Sequence, residues 1–186
     1  MFDHFSIVAP IYECLIPPPD PEILRELAQL TSESVVLDAA GGTGRVATLY
    51  ASEVRRIVVC DASAGMLKEA QSKGLEAVQA AIEELPFKDE EFDVIFLVDA
   101  LHHLQNQCKA LKELLRVLKP TGTLIIEEPD IRYPLIKIIA FLEKLFLMRS
   151  HFVPVKIISQ WVTDTGGNST IRHQNKFRVW LAVTKS

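Results

Sequence analysis

The stretch Val36-Leu37-Asp38-Ala39-Ala40-Gly41-Gly42-Thr43-Gly44 decides how this chain is read. Its apolar start, extended back to Val35, reads as a short strand. The glycines after it read as a tight turn into a helix running from about Gly44 to Ser52. Lacking side chains, glycines let backbone amides and carbonyls approach a ligand closely. A plain strand-to-helix connection would satisfy the same local pattern. Gly42-x-Gly44-x-x-Ala47 also meets the loose G-x-G-x-x-G/A fingerprint of dinucleotide sites. Asp38 argues against a pyrophosphate here, because a carboxylate before the turn repels phosphate charge, yet it can orient the loop around an uncharged or cationic ligand.

Working outward, Pro17, Pro18 and Pro19 interrupt the chain upstream, and Asp20 followed by Pro21 predicts a capped helix reaching about Leu30. Downstream, Ile57 to Cys60 repeats the strand signal, Asp61 and Ser63 supply capping side chains, and Met66 to Lys73 reads as a helix. A brief strand over Ala77 to Ala80 follows. Asp93 to Val98 is almost continuously apolar, as a strand buried on both faces of a parallel sheet must be. Leu111, Leu114, Leu115 and Leu118 give helical spacing over Gln107 to Leu118, which Pro120 and Gly122 stop before a fifth strand at Thr123 to Ile126. Ser169 to His173 and Phe177 to Val183 read as an antiparallel hairpin. The alternation predicts an α/β fold: a doubly wound, mainly parallel Rossmann-like sheet with a C-terminal antiparallel hairpin. Ligands then belong at the carboxyl ends of strands 1, 2 and 4.

Composition narrows the function classes. The 186 residues suit one domain, residues 1–186, and an apolar fraction of 48% with 24% charged residues describes a chain that buries a full core. The net charge of −4 leaves no basic footprint, so no nucleic acid is expected as a partner. Cys14, Cys60 and Cys108 are odd in number and scattered, which predicts neither a disulfide framework nor a metal site and suits a reducing, cytoplasmic setting. The opening MFDHFSIVAP lacks the basic start of a secretory signal. Lys137, Glu143 and Lys144 break the most apolar run, Ile136 to Met148, so no transmembrane segment is expected. Tyr133-x-x-x-Lys137 imitates the Tyr/Lys pair of short-chain dehydrogenases, but Pro134 follows the tyrosine and the match reads as accidental.

VVLDAAGGTG (residues 35–44) resembles motif I of the class I S-adenosylmethionine-dependent methyltransferases. IVVCDASAGML (57–67), the run from Ala80 to Leu104 and ELLRVLKPTGTLIIEEP (113–129) resemble the segments that follow in that family, in the same order. The nearest likeness is to the ubiquinone/menaquinone C-methyltransferase group, to which FSIVAPIYE (5–13) is also similar. The resemblance implies a seven-strand sheet and S-adenosylmethionine as cofactor. It implies cofactor contacts from the motif I turn (Asp38, Ala40, Gly41, Gly42, Thr43, Gly44), from Asp61 to the ribose hydroxyls, from Ala62 and Met66 near the adenine, from Ala81, Ile82 and Val98, and from Tyr12 closing over the cofactor. Ala81-Ile82 stands where many members carry an adenine-binding Asp, so that recognition is expected to fall to backbone amides. The chain is also shorter than a complete quinone methylase is expected to be.

Methyl transfer from a sulfonium mainly needs a nucleophile held in line and water kept out. If the acceptor is a phenol or an acidic carbon, His103 or Asp99, after strand 4, is placed to take its proton. Bland roles coexist with these: Asp61 as a helix cap, His102 and His103 as loop residues, Tyr12 and Phe5 as packing anchors. Residues 1–31 read as a cofactor-covering segment and helix, and 134–165 as a lid or acceptor-pocket insertion. The apolar residues of 134–148 require covering by the core, by a hydrophobic acceptor under a lid, by a partner subunit in a homodimer or by a membrane surface. The leading expectation is methyl transfer to a small apolar or aromatic molecule. An NAD(P)-dependent oxidoreductase and a catalytically silent cofactor-binding or interaction protein stand as alternatives.

Overall fold

A computed structural model describes residues 20–133, 151–174 and 177–185. Their elements are α1 (Pro21–Ala28), β1 (Val35–Ala39), α2 (Ala47–Tyr50), β2 (Arg56–Asp61), α3 (Ala64–Ser72) and β3 (Glu76–Gln79). β4 (Phe92–Val98), a 3-10 turn (Leu101–His103), α4 (Gln107–Val117), β5 (Leu118–Pro129), α5 (Val155–Asp164), β6 (Gly167–Gln174) and β7 (Arg178–Lys185) follow. The strands form one sheet in the order β3-β2-β1-β4-β5-β7-β6. β1 to β5 run parallel, and β7 inserts antiparallel between β5 and β6. Strand order reverses between β1 and β4, which opens the crevice where doubly wound sheets bind ligands.

The strand period of two divides the core. Val36, Val59, Phe96, Ile125 and Trp180 pack against Leu24 and Ala28 of α1, Ala47 and Tyr50 of α2, and Leu67 and Ala70 of α3. On the other face, Leu37, Val58, Ile95, Leu97, Leu124, Ile126 and Leu181 meet Ala110, Leu111 and Leu114 of α4 and Ile158 and Val162 of α5. Both faces of β4 are therefore covered, and its unbroken apolar sequence follows from that.

The boundaries differ from the sequence reading in four places. α1 ends at Ala28 because Gln29 turns left-handed (φ 47) and its N–H returns to the Arg25 carbonyl. α2 keeps four residues because Gly42 and Gly44, at φ 56 and 75, hold the preceding stretch in turns. β5 spans twelve residues, since Pro120 and Gly122 fall in an irregular register shift against β4 rather than ending the segment. A Cβ on Gly122 would lie 2.8 Å from the Asp93 carbonyl, the close backbone approach that glycine permits at such a shift. α5 was not read as a helix: the last part of the 134–165 stretch lies on the sheet, with Val155, Ile158 and Val162 buried. Residues 134–150 and 1–19, with Tyr12 and Phe5, lie outside the described residues. No described helix is long and apolar enough to cross a membrane.

Candidate active site

The turn after β1 is built by side chains that take its amides. Asp38, 1% exposed, accepts from the Ala47 N–H at 3.0 Å and thereby fixes where α2 begins. Burial pushes its carboxyl up to about 7, against the lowering effect of that amide and of Arg45. Asp38 is thus a brace beneath the loop, and a Cβ on Gly41 would collide with it at 2.5 Å from Cγ. Gly44 carries the loop past the start of β3, where a Cβ would lie 2.3 Å from Leu75 Cδ1. Thr43 is buried, and its carbonyl accepts from Lys73 Nζ at 2.8 Å. Ala40, at φ 51, is left-handed without being glycine. Such strain persists where the surroundings over-determine the backbone, and the Gly41 N–H to the Cys60 carbonyl at 3.3 Å is part of that clamp.

Gly42 differs from its neighbours. Among the described residues a Cβ there would meet only Met66 Sδ, at 3.7 Å, so its left-handed backbone borders space that no other described residue fills within 4 Å of that Cβ. Asp61, at the end of β2, faces the same space: Oδ2 accepts from the Gly42 N–H at 2.9 Å and Oδ1 from the Ser63 N–H at 2.8 Å. The carboxylate is oriented by two loops, and a carboxylate is an acceptor suited to donors such as vicinal hydroxyls. Met66 is buried beside it. Ser63, rather than Asp61, caps α3, accepting from the Met66 N–H at 3.3 Å. The Ala62 carbonyl accepts from Gln79 Nε2. Ala81 is exposed, whereas Ile82 packs into the core with Leu85 and Cys60, so no side-chain acceptor stands at 81–82. These positions suit S-adenosylmethionine: a glycine backbone that a thioether alone approaches among the described residues, and beside it a carboxylate pre-oriented by two amides. Cys60 takes no chemical part, because burial pushes its thiol up to about 12.

At the end of β4, beyond buried Val98, Asp99 is left-handed (φ 55) and lies 3.7 Å from Arg45. β5 fastens the turn that follows. The Glu127 carbonyl accepts from the Asp99 N–H, and Glu128 Oε1 accepts from the Ala100 and Leu101 N–H groups at 3.2 and 2.8 Å. Glu128 Oε2 lies 2.7 Å from His102 Nδ1, with Glu128 4% and His102 3% exposed. The His102 ring stacks on Phe152 at 4.1 Å and meets the His103 ring at 4.0 Å. Burial, with His102 beside it, drives His103 down to about 3, so the imidazole named from sequence is neutral and weakly basic.

Glu127 points to the opposite face from Glu128. It pairs with Arg178 and is pushed up to about 7 by burial, while its Oε2 and the Nε1 of cross-strand Trp180 have no hydrogen-bond partner among the described residues. Arg45, Glu127, Glu128 and Arg178 escaped the sequence reading. The signal was the pair of acids ending the apolar run Ile125-Ile126-Glu127-Glu128, since buried acids need partners.

A family model described as a methyltransferase domain matches residues 37–126, the span from β1 through most of β5. Over that span the chain is similar to methyltransferase domains. The ubiquinone/menaquinone biosynthesis C-methyltransferase UbiE of Pseudomonas putida (strain GB-1) is 36% identical, over 55% of this chain and 44% of the relative. The match therefore spans less than half the length of that curated relative. Among solved structures, a SAM-dependent methyltransferase from Aquifex aeolicus superposes with a TM-score of 0.73 at 20% identity, covering 98% of each chain. The [4+2]-cyclase SpnF gives 0.78 at 14% identity, covering 97% of this chain and 94% of its own. At these identities the superpositions speak for the fold, and a cyclase among them shows that this fold alone does not name a reaction.

Proposed function

We propose that this chain transfers a methyl group from S-adenosylmethionine to a small apolar or aromatic acceptor. The observation that carries this reading is the pairing of Gly42 with Asp61, a left-handed glycine that only Met66 approaches among the described residues, beside a carboxylate already oriented by the Gly42 and Ser63 amides. When bound, the cofactor supplies an electrophilic methyl on a sulfonium. Asp61 holds the ribose hydroxyls, the residues 40–44 turn lies along the cofactor, Met66 and Ile82 border the adenine, and backbone groups at Ala81 and Ala62 read its edge. Val98 forms the floor at the end of β4. The acceptor lies beyond β4, in front of Asp99 and the His102–His103 turn. A quinol-like acceptor is favoured by the similarity to the ubiquinone/menaquinone biosynthesis C-methyltransferase of Pseudomonas putida and by the apolar sequence of 134–148.

Calorimetric titration with S-adenosylhomocysteine and NADH tests the cofactor. Binding of the first and not the second is expected. NADH binding alone would replace methyl transfer with hydride chemistry. Turnover against phenols and hydroquinones then separates an enzyme from a silent binder.

A further inference from the structure

Two consecutive residues of the turn after β1 are tied to opposite ends of one neighbouring unit. The Gly42 N–H donates to Asp61 Oδ2 at 2.9 Å, where β2 hands over to α3, and the Thr43 carbonyl accepts from Lys73 Nζ at 2.8 Å, where α3 ends. Lys73 is an exposed residue, yet its ammonium ends on a carbonyl 30 residues earlier, in a residue that is itself buried. Local sterics do not hold that carbonyl in place. Turning over the Thr43–Gly44 peptide changes ψ of Thr43 and φ of Gly44, and glycine populates φ of either sign, so the residue that permits the turn at φ 75 also permits the rotation. The peptide is held by its polar ends instead. The Gly44 N–H donates to the Gly41 carbonyl at 2.9 Å, and the Thr43 carbonyl receives a charged donor, the stronger kind of hydrogen bond. One peptide further on, the Gly44 carbonyl takes the N–H and hydroxyl of Thr48 at 2.9 and 2.8 Å, so α2 fixes that group by itself.

We infer that Lys73 is a positioning residue for the cofactor: it holds the Thr43–Gly44 peptide in the orientation in which the turn receives S-adenosylmethionine. The inference rests on the methyl-transfer reading above. Lys73 acts through the turn, from the far end of α3, and needs no contact with the cofactor. With its ammonium removed, the carbonyl loses that donor and the peptide divides between orientations. Apparent affinity then falls in proportion to the fraction that stays competent.

Three lysine variants separate positioning from charge and from stability. Lys73→Met removes the donor and keeps an aliphatic side chain; its calorimetric Kd for S-adenosylhomocysteine is expected to rise about 10-fold, as a fall of the competent orientation to about a tenth requires. Lys73→Arg keeps a charged donor and is expected to stay within about 3-fold of the wild type. Lys68→Met removes the same charge from an exposed position of α3 that makes no hydrogen bond to the turn, and should bind as the wild type does. In the ligand-free protein, the 13C resonance of the Thr43 carbonyl and the 15N resonance of the Gly44 amide are expected to move in Lys73→Met and to return toward their wild-type positions in Lys73→Arg. A lysine with a merely structural role would lower Tm and leave both the Kd of the folded protein and these two resonances where they were. Wild-type affinity in folded Lys73→Met, an equal loss in Lys68→Met, or a loss with both resonances unmoved overturns the inference. Absence of S-adenosylhomocysteine binding by the wild-type protein would defeat the methyl-transfer reading instead, and the two resonances would still report whether Lys73 holds the peptide.

Discussion

Gly42 and Gly44 lie two residues apart at similar left-handed angles, φ 56 and 75, yet replacing each by alanine should do different things. An L residue in this region costs about 1–2 kcal/mol at either position. At Gly42 nothing is added to that, because the nearest atom to a new Cβ is Met66 Sδ at ordinary contact distance, 3.7 Å. At Gly44 the Cβ lies 2.3 Å from Leu75 Cδ1 and 3.4 Å from both Ala70 Cβ and Val59 Cγ2, so Leu75 must leave its packed position. Such overpacking costs about 1–3 kcal/mol, which brings Gly44→Ala to about 2–5 kcal/mol. For a chain of this size each kcal/mol lowers Tm by about 2–4 °C, giving losses of about 2–8 °C for Gly42→Ala and about 4–20 °C for Gly44→Ala. Thermal denaturation followed by circular dichroism reads the difference. Calorimetry with S-adenosylhomocysteine should show the reverse order, with Gly42→Ala losing more affinity than Gly44→Ala measured below its melting range. The double variant Gly44→Ala/Leu75→Ala should be less destabilised than the sum of its parts by about 1–3 kcal/mol. Equal stability of the two single variants, or strict additivity with Leu75→Ala, would refute the packing argument.

Asp61→Ala should weaken S-adenosylhomocysteine binding by about 1.5–3 kcal/mol, through loss of a charged acceptor that two amides orient; unchanged calorimetric affinity in a folded variant would remove Asp61 from the site. Asp38→Asn should flatten the pH dependence of stability. The wild-type carboxyl, raised from 3.8 to about 7, contributes stability fully present below its unfolded pKa and lost as pH rises through its folded pKa. Urea unfolding across that window should show the variant gaining on the wild type toward alkaline pH, and parallel profiles would contradict the assignment. Arg178→Met leaves the Glu127 carboxylate buried without its cation. It should cost about 3 kcal/mol near neutral pH and less in acid, where Glu127 is protonated, with Glu127→Met in the same chain restoring much of the loss. A loss independent of pH, by the same urea measurement, would contradict this.

The sheet was legible because its strands are buried on both faces and flanked by turn-forming residues, so Val35-Val36-Leu37 and Val94-Ile95-Phe96 announce themselves locally. What escaped depends on partners distant in sequence. α2 is cut short by glycine conformations that a helical pattern of apolar residues does not reveal. Pro120 and Gly122 carry a stop signal, but the register shift of β5 against β4 makes room for both. At the site, Asp61 and the glycines are recognisable because one turn gathers them. The burial of His102 against Glu128 was not, because Glu128 lies 26 residues away on another strand. Asp38 was readable as a loop-orienting carboxylate, though not as a group that burial brings near neutrality.

β7 is the last strand in sequence and sits between β5 and β6. Until residues 178–185 arrive, β5 has paired on one side only, with β4, and offers the unpaired backbone of an apolar strand to any other extended chain. Glu127 at that stage also lacks Arg178, so the carboxylate end of the strand has no cation to carry it into the core. Closure of the sheet and neutralisation of its buried charge are therefore one late event. A chain truncated before β7 would leave that edge of β5 unpaired, so the eight-residue β7 both covers an apolar strand edge and supplies the cation for its buried acid.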